Sequence, residues 1–193
     1  MFLVNLSAAQ AQLASPWLQQ MSAEQVIKMP SGKSITSKIY VDNGKVRIDV
    51  NANGMAMSTI MRPDKKIMYT LMPAQKMVME IPMTPKDEDS MRAFNTQNLH
   101  FEPVGQGIQD GVECDKYKLA FSTGRAQIFW INKQTKTPVL MEAEDGSMRI
   151  EWHNVVPGPQ PAALFEPPTD YKKMSMPVRP MPSSPPVPPP AAH

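Results

Sequence analysis

The chain has 193 residues, a length that suits one folded domain with flanking tails. Its 20 basic and 18 acidic residues leave a formal net charge of +2, which gives no electrostatic basis for binding nucleic acid or an anionic membrane. Hydrophobic residues make up 41% of the sequence, but no uninterrupted apolar run approaches the ~20 residues of a membrane-spanning helix. Composition therefore excludes two large classes of partner and leaves a globular domain.

Residues 1–15 resemble the end of an export signal. Phe2–Leu6 is apolar, and Ala9-Gln10-Ala11 has the small-x-small form of a cleavage site. The basic start of such a signal is missing and the apolar part is short. We interpret this segment as an incomplete signal peptide, with an ordinary disordered N-terminus as the alternative.

The first part of the domain alternates between apolar and polar residues with a period of two. Ile35, Ile39 and Val41 share one parity, and the same alternation continues through Val46, Ile48 and Val50. This pattern is typical of strands with one apolar face. The turn sequences 42–44 and 53–54 are of the Asn-Gly type that favours tight hairpins.

Eight of the 17 methionines fall between Gly54 and Met83. This stretch predicts three strands of a meander, at 55–61, 66–71 and 76–81, separated by turns at 62–65 and 72–75. Both parities carry apolar residues there, so we expect a second layer over part of the outer face. The methionines fill a core, line an adaptable apolar pocket or bind a soft metal.

The period then changes. Thr84 is a candidate helix cap followed by proline and acidic residues, which predicts a short helix over 85–95. A second short helix is predicted at 16–20. Later strands are expected around Tyr117, Leu119 and Phe121, and in three further segments up to Pro157. The predicted fold class is mainly β (α+β): a strongly curved antiparallel sheet or half-open β-barrel, with one or two short helices covering its concave side.

Residues 175–193 form a proline-rich tail, with eight prolines among the last seventeen residues. Proline has no backbone donor and a fixed φ, so this tail is predicted to be extended or disordered. It is either passive or a docking segment for a partner. The folded domain is accordingly expected at 16–174.

Several segments together resemble one bacterial family. They are GKSITSKIYVDNGKVRID, IMRPDKKIMYTLMPAQKMVMEIP, GVECDKYKLAF, IFWINKQTKTPVLME and LFEPPTDYKKM. In combination they are similar to uncharacterised exported proteins of the LolA/LolB-like superfamily of outer-membrane lipoprotein carriers. The resemblance covers residues 21–174. It implies a periplasmic protein whose half-open barrel holds acyl chains, with Arg47 as a candidate arginine inside the cavity.

Catalytic chemistry has little support in the sequence. The three histidines show no metal-ligand spacing, and the sequence identifies no general base that would activate Cys114 as a nucleophile. We therefore predict a non-enzyme without a cofactor, in which Cys114 is a buried structural thiol. As the only cysteine, it excludes an intrachain disulfide but does not identify the cellular compartment.

The functional prediction is a periplasmic binding or carrier protein for an apolar ligand, such as a lipid or lipoprotein acyl chains. The predicted pocket walls are apolar residues of the alternating strands: Ile39, Val41, Val46, Ile48, Met57, Met61, Tyr69, Leu71, Met77, Met79, Phe129, Met141 and Trp152. One alternative is an envelope structural protein that has a filled core and a partner for its proline tail. The other is a Cu(I) site built from Met-x-Met pairs at 55–57, 77–79 and 174–176, since thioethers select Cu(I).

Overall fold

The computed structural model describes residues 19–52, 54–85, 87–88, 101–121 and 124–175. Twelve strands account for most of them: β1 (Gln20–Lys28), β2 (Ser34–Asp42), β3 (Lys45–Ala52), β4 (Met55–Arg62), β5 (Ile67–Met72), β6 (Met77–Pro82), β7 (Phe101–Gln109), β8 (Val112–Ala120), β9 (Ala126–Asn132), β10 (Pro138–Ala143), β11 (Arg149–Pro157) and β12 (Lys172–Ser175). Two short 3-10 helices, Pro73–Gln75 and Ala162–Phe165, and the helical residues 85, 87 and 88 complete the regular structure of this part of the chain.

All twelve strands belong to one sheet in the order β12-β6-β5-β4-β3-β2-β1-β11-β10-β9-β8-β7. The sheet is open and curved, and every neighbouring pair is antiparallel except β12 beside β6. The predicted mainly-β, curved-sheet fold is confirmed. Because β6 lies near one edge and β7 forms the other, residues 83–100 connect opposite edges of the sheet.

Local turn chemistry explains the hairpins. Asn43 and Gly44 both have positive φ, 49° and 85°, as a two-residue turn between twisted strands requires. Strands β4, β5 and β6 begin and end within one residue of the predicted limits. The methionine-rich stretch therefore forms the meander that its alternation predicts.

The two predicted helices have different outcomes. Thr84 and Asp87 form a reciprocal cap: the Thr84 hydroxyl donates to Asp87 Oδ2 (2.6 Å), and the Asp87 N–H donates to Thr84 Oγ1 (3.3 Å). Residues 85, 87 and 88 are helical, and 86 and 89–95 lie outside the described residues. The helix predicted at 16–20 is wrong at Gln20, where β1 begins.

Each face of the sheet carries its own core. We call one the methionine face, because it carries Met57, Met61, Met68, Met72, Met77 and Met79. Its core comprises Met21, Ala23, Ile39, Val41, Val46, Phe101, Leu119, Phe129, Ile131, Met141, Ile150 and Trp152. The opposite face, which we call the Phe165 face, has a smaller core of Ile60, Tyr69, Leu71, Val78 and Phe165.

The segment after β11 covers the Phe165 face. Phe165 is fully buried there, and two arginines from the sheet bind the backbone around it. Arg47 Nη1 donates to the carbonyl oxygen of Leu164 (3.1 Å), and Arg62 Nη1 donates to that of Phe165 (3.2 Å). Arg62 also pairs with Asp64 and Glu166. This segment is the second layer that the apolar residues on both parities of β5 predict.

The remaining terminal predictions are untested. Residues 1–18 and 176–193 lie outside the described part of the chain. The incomplete signal at 1–15, the proline-rich tail at 175–193 and the domain limits of 16 and 174 therefore stay predictions.

Candidate ligand-binding face

Methionines from four adjacent strands lie side by side on the methionine face. Met61 of β4 is the register partner of Met68 in β5, and Met72 of β5 is that of Met77 in β6. Met79 of β6 then pairs with Met174 in β12. The sheet thus gathers residues separated by up to about a hundred positions in the sequence into one thioether-rich surface.

This surface is packed less tightly than the core beside it. Ile39, Val41 and Val46 of the same face are buried, whereas Met57 is 46% exposed and its neighbours Met61 and Met68 are partly exposed. Met is unbranched and polarisable, so a cluster of partly exposed methionines can adjust to apolar partners of varied shape. The face combines a rigid half, formed by β1–β3 and β7–β11, with an adaptable half, formed by β4–β6 and β12.

Most of the predicted wall residues lie on the methionine face, namely Ile39, Val41, Val46, Ile48, Met57, Met61, Met77, Met79, Phe129, Met141 and Trp152. Tyr69 and Leu71 do not. Both are buried on the Phe165 face, in the core that Phe165 completes. Their inclusion in one wall with the others is wrong, because β5 is apolar on both parities and its methionines, Met68 and Met72, take the other face.

Arg47 is also on the opposite side from the predicted cavity. Its guanidinium contacts Asp49 (2.7 Å) and the Leu164 carbonyl on the Phe165 face. The arginine therefore fixes the C-terminal segment and is not an internal group of the methionine face. Three further members of the face, Met68, Met72 and Met174, are not among the predicted wall residues. The spacing of two between Met68 and Thr70 and between Thr70 and Met72 places the first and last on one face of β5, whereas Met174 joins the face only through the pairing of β12 with β6.

A row of register partners, one residue from each of five neighbouring strands, crosses the methionine face at right angles to the strands. It runs from Met57 (β4) through Val50 (β3), Ser37 (β2) and Gln25 (β1) to Trp152 (β11). Its last three members are polar and buried, with exposed fractions of 5%, 3% and 6%. The row therefore changes from apolar and partly open at Met57 to polar and enclosed at Trp152.

A cleft of about 380 Å³ opens beside Trp152, between β11, the turn after β9 and the turn after β7. A β-bulge shifts the register of β11 on β1, and Asn154 there has a φ of 50°. The extra residue reverses the alternation, so that Trp152 and Val155 both contribute to the core of the methionine face and to the cleft.

Trp130 has an environment different from that of Trp152. It alternates with Phe129 and Ile131 and so lies on the opposite face, with Lys116 Nζ 3.8 Å from its ring centroid. A Cβ added to Gly107 would come within 2.7 Å of the Trp130 ring, so the glycine makes room for the stacked pair. Trp130 is a packing residue of that face.

Cys114 is fully buried and its thiol donates weakly to the Val112 carbonyl at 3.5 Å. Burial, aided by the nearby Asp115 charge, raises the pKa of the Cys114 thiol. The protonated thiol is a poor nucleophile and a poor metal ligand. Within the described ranges, no group of three or more His, Cys, Asp or Glu side chains is placed to hold a metal ion.

A family profile whose description is "Domain of unknown function (DUF4412)" matches residues 22–137, which include β1 to β9. The chain belongs to the DUF4412 family. The match contains the methionine-rich strands β4–β6 together with Gln25 and Ser37, whereas Trp152 and Met174 lie beyond it. No curated protein matches the sequence.

A similar solved structure supports the fold of this DUF4412 protein. An uncharacterised conserved protein from Thermus thermophilus has 11% identity and a TM-score of 0.57, over 86% of this chain and 93% of that one. A LolA superfamily protein from Nitrosomonas europaea has 10% identity and a TM-score of 0.40, over 76% and 89%.

The Pseudomonas aeruginosa MucA/MucB complex contains a further similar chain, with 11% identity and a TM-score of 0.46, over 86% of this chain and 62% of that one. Identities this low bear on the fold alone. In the described part of the DUF4412 protein, no helix has the length and apolar character needed to cross a membrane.

Proposed function

We propose that this DUF4412 protein is a periplasmic, non-enzymatic binding or carrier protein, and that it holds an apolar ligand with acyl chains on the methionine face. The observation that carries the proposal is the gathering of methionines from β4, β5, β6 and β12 on one partly exposed surface. On the other side of the same strands, Phe165 completes a closed core, and the partly exposed methionines contrast with it.

The chemistry of the surface favours an acyl chain over a rigid ligand. Removing apolar surface from water is worth ~25 cal/mol per Å², whatever the shape of the partner. Flexible thioether side chains can follow a ligand that has many conformations, which branched side chains do less well. The periplasmic location rests on the export-like N-terminus and the LolA-like resemblance.

A charge-insertion experiment tests the proposal. We expect the double variant Met57→Asp, Met79→Asp to lose binding of a fluorescent palmitate analogue, because the bound acyl chain would have to desolvate two carboxylates on the methionine face. Ala56→Asp with Gln75→Asp is the matched control, since both positions are exposed and the change in net charge is the same. Fluorescence titration gives the affinities, and circular dichroism checks that both variants retain their strands.

Mass spectrometry of the gently purified protein provides a second readout. The proposal predicts co-purifying lipid or acylated peptide that is released by organic extraction. Unchanged palmitate binding in the Met57→Asp, Met79→Asp variant would remove the methionine face as the site. Binding of Cu(I) without any lipid would instead support the thioether metal site.

A further inference from the structure

Three polar side chains form a continuous line within the core of the methionine face. Gln25 in β1 is the register partner of Ser37 in β2 on one side and of Trp152 in β11 on the other. Adjacent strands are ~4.8 Å apart, so the three side chains are immediate neighbours. We call Ser37, Gln25 and Trp152 the polar row.

Each member of the polar row has a buried polar atom that lacks a hydrogen-bond partner among the described residues: Ser37 Oγ, Gln25 Oε1 and Trp152 Nε1. Buried polar atoms in folded proteins are nearly always paired, because an unpaired one loses its hydration without compensation. Three such atoms in adjacent positions of one row indicate a site whose hydrogen bonds are completed by a bound molecule.

The atoms of the polar row specify the chemistry of that molecule. Trp152 Nε1 can only donate, Gln25 Oε1 can only accept, and the Ser37 hydroxyl can do either. The complementary group carries a carbonyl-type acceptor close to an O–H or N–H donor. The row has no charged side chain, and burial of an unpaired ion there would be very costly, so the group is neutral.

The row also has a direction. Beyond Ser37 it continues through Val50 to Met57, four strand spacings or ~19 Å from Trp152. The polar end meets the cleft of about 380 Å³ beside Trp152, and the apolar end joins the methionine surface. A molecule with a neutral polar group and an apolar chain matches this order.

We propose that the polar row binds the neutral headgroup of an acyl ligand, an ester or amide carbonyl next to a hydroxyl or N–H group, while the chain lies on the methionine face. This inference rests on the proposed function and adds the headgroup chemistry to it. Trp152 donates to the carbonyl and Gln25 accepts from the hydroxyl or N–H. Ser37, on the other side of Gln25 from Trp152, makes a further hydrogen bond to the hydroxyl or N–H group.

Two probes with the same acyl chain test the inference. Monopalmitoylglycerol has both a carbonyl and hydroxyl donors, whereas methyl palmitate has the carbonyl alone. We expect wild-type protein to bind monopalmitoylglycerol more tightly. Gln25→Met should weaken monopalmitoylglycerol binding roughly threefold to tenfold, which is the usual value of one hydrogen bond, and leave methyl palmitate binding unchanged.

Ser37→Ala is the second variant, and it should also weaken monopalmitoylglycerol binding. Thr36→Ala, which removes an exposed hydroxyl from the opposite side of β2, is the matched control and should change neither affinity. Thermal unfolding of the free proteins is an independent readout. Gln25→Met and Ser37→Ala should raise Tm or leave it unchanged, because each removes a buried atom that has no partner.

The outcomes separate the two proposals. If both probes bind with equal affinity, or if Gln25→Met weakens both equally, the headgroup assignment is overturned and the acyl-chain site stands. If neither probe binds, the proposed function fails and the headgroup assignment fails with it. A lowered Tm in both free variants would show that the polar row is already paired in the unliganded protein, and would also overturn the inference.

Discussion

The two faces of strands β4, β5 and β6 are built from alternate residues of the same short sequence, yet they are packed very differently. On the Phe165 face, Ile60, Leu71 and Val78 are almost completely buried. On the methionine face, Met57 is nearly half exposed and Met68 and Met77 remain partly exposed. The buried apolar residues of the closed face are branched or aromatic, whereas most of the apolar residues on the open face are unbranched thioethers.

The difference follows from what covers each face. Among the described residues, the segment after β11 covers the Phe165 face, and shape-specific residues pack there as in an ordinary core. On the methionine face, flexible side chains suit a partner whose shape is not fixed by the chain. One period-two sequence can thus encode a permanent core and an adaptable surface at once.

Removal of the covering side chain should give the largest effect. Phe165→Ala is expected to lower the free energy of unfolding by about 3–5 kcal/mol, because it leaves a cavity over Ile60 and Leu71. Denaturant unfolding measures the change, with Met57→Ala as the control on the other face. Equal losses in the two variants would mean that the two faces do not differ in packing.

Acid should loosen the closed face by a smaller amount. Hydrogen bonding from Arg62 lowers the pKa of Asp64. Burial disfavours the charge of Glu166, but hydrogen bonds from Arg62 and Lys65 outweigh it and the pKa of Glu166 is also lowered. Groups with a lowered pKa stabilise the fold above their ordinary pKa, and this contribution is lost as the pH falls through the lowered value.

This stabilisation should therefore begin to be lost at about pH 4. The loss should amount to about 1 kcal/mol or less, since both carboxylates are half exposed and screened by solvent. The measurement is the denaturant midpoint of wild type and of Arg62→Met between neutral and acidic pH. Arg62→Met should show a shallower decline in acid. An identical decline in both proteins would exclude the Arg62 pairs as its source.

The smallest stability effect is expected on the open face. Met57→Leu should change the free energy of unfolding by no more than about 0.5 kcal/mol, because the side chain is nearly half exposed. The same substitution should narrow the range of acyl chain lengths that bind, because a branched side chain adapts less. Titration with monoacylglycerols of several chain lengths measures this, and an unchanged range would argue against a special role for methionine.

Local patterns were sufficient to predict the hairpins but not the allocation of faces. The Asn43-Gly44 turn and the strands around the methionines follow from neighbouring residues and appear where expected. In β5, by contrast, Tyr69 and Met68 are both apolar, so alternation alone does not predict which of these two side chains lies on the face with the larger core. That choice depends on Phe165, almost a hundred residues later in the sequence.

Other parts of the site also depend on distant pairing. β12 has two lysines in four residues and no apolar alternation, so its local pattern does not predict a strand beside β6. Ser37 and Gln25 are ordinary polar residues in their own segments. Only the register that places them next to Trp152 makes the polar row recognisable.

The order of the strands leaves this open sheet with two ends, and the composition of both ends opposes strand addition from another molecule. In the described part of the chain β12 comprises four residues and carries the exposed Lys172 and Lys173. At the other end, β7 contains Pro103 and a bulge between Pro103 and Gly105. Short lysine-bearing strands, prolines and bulges are poor templates for further pairing. The sheet can therefore keep a thioether surface available for binding with little risk of growing, strand by strand, into an aggregate.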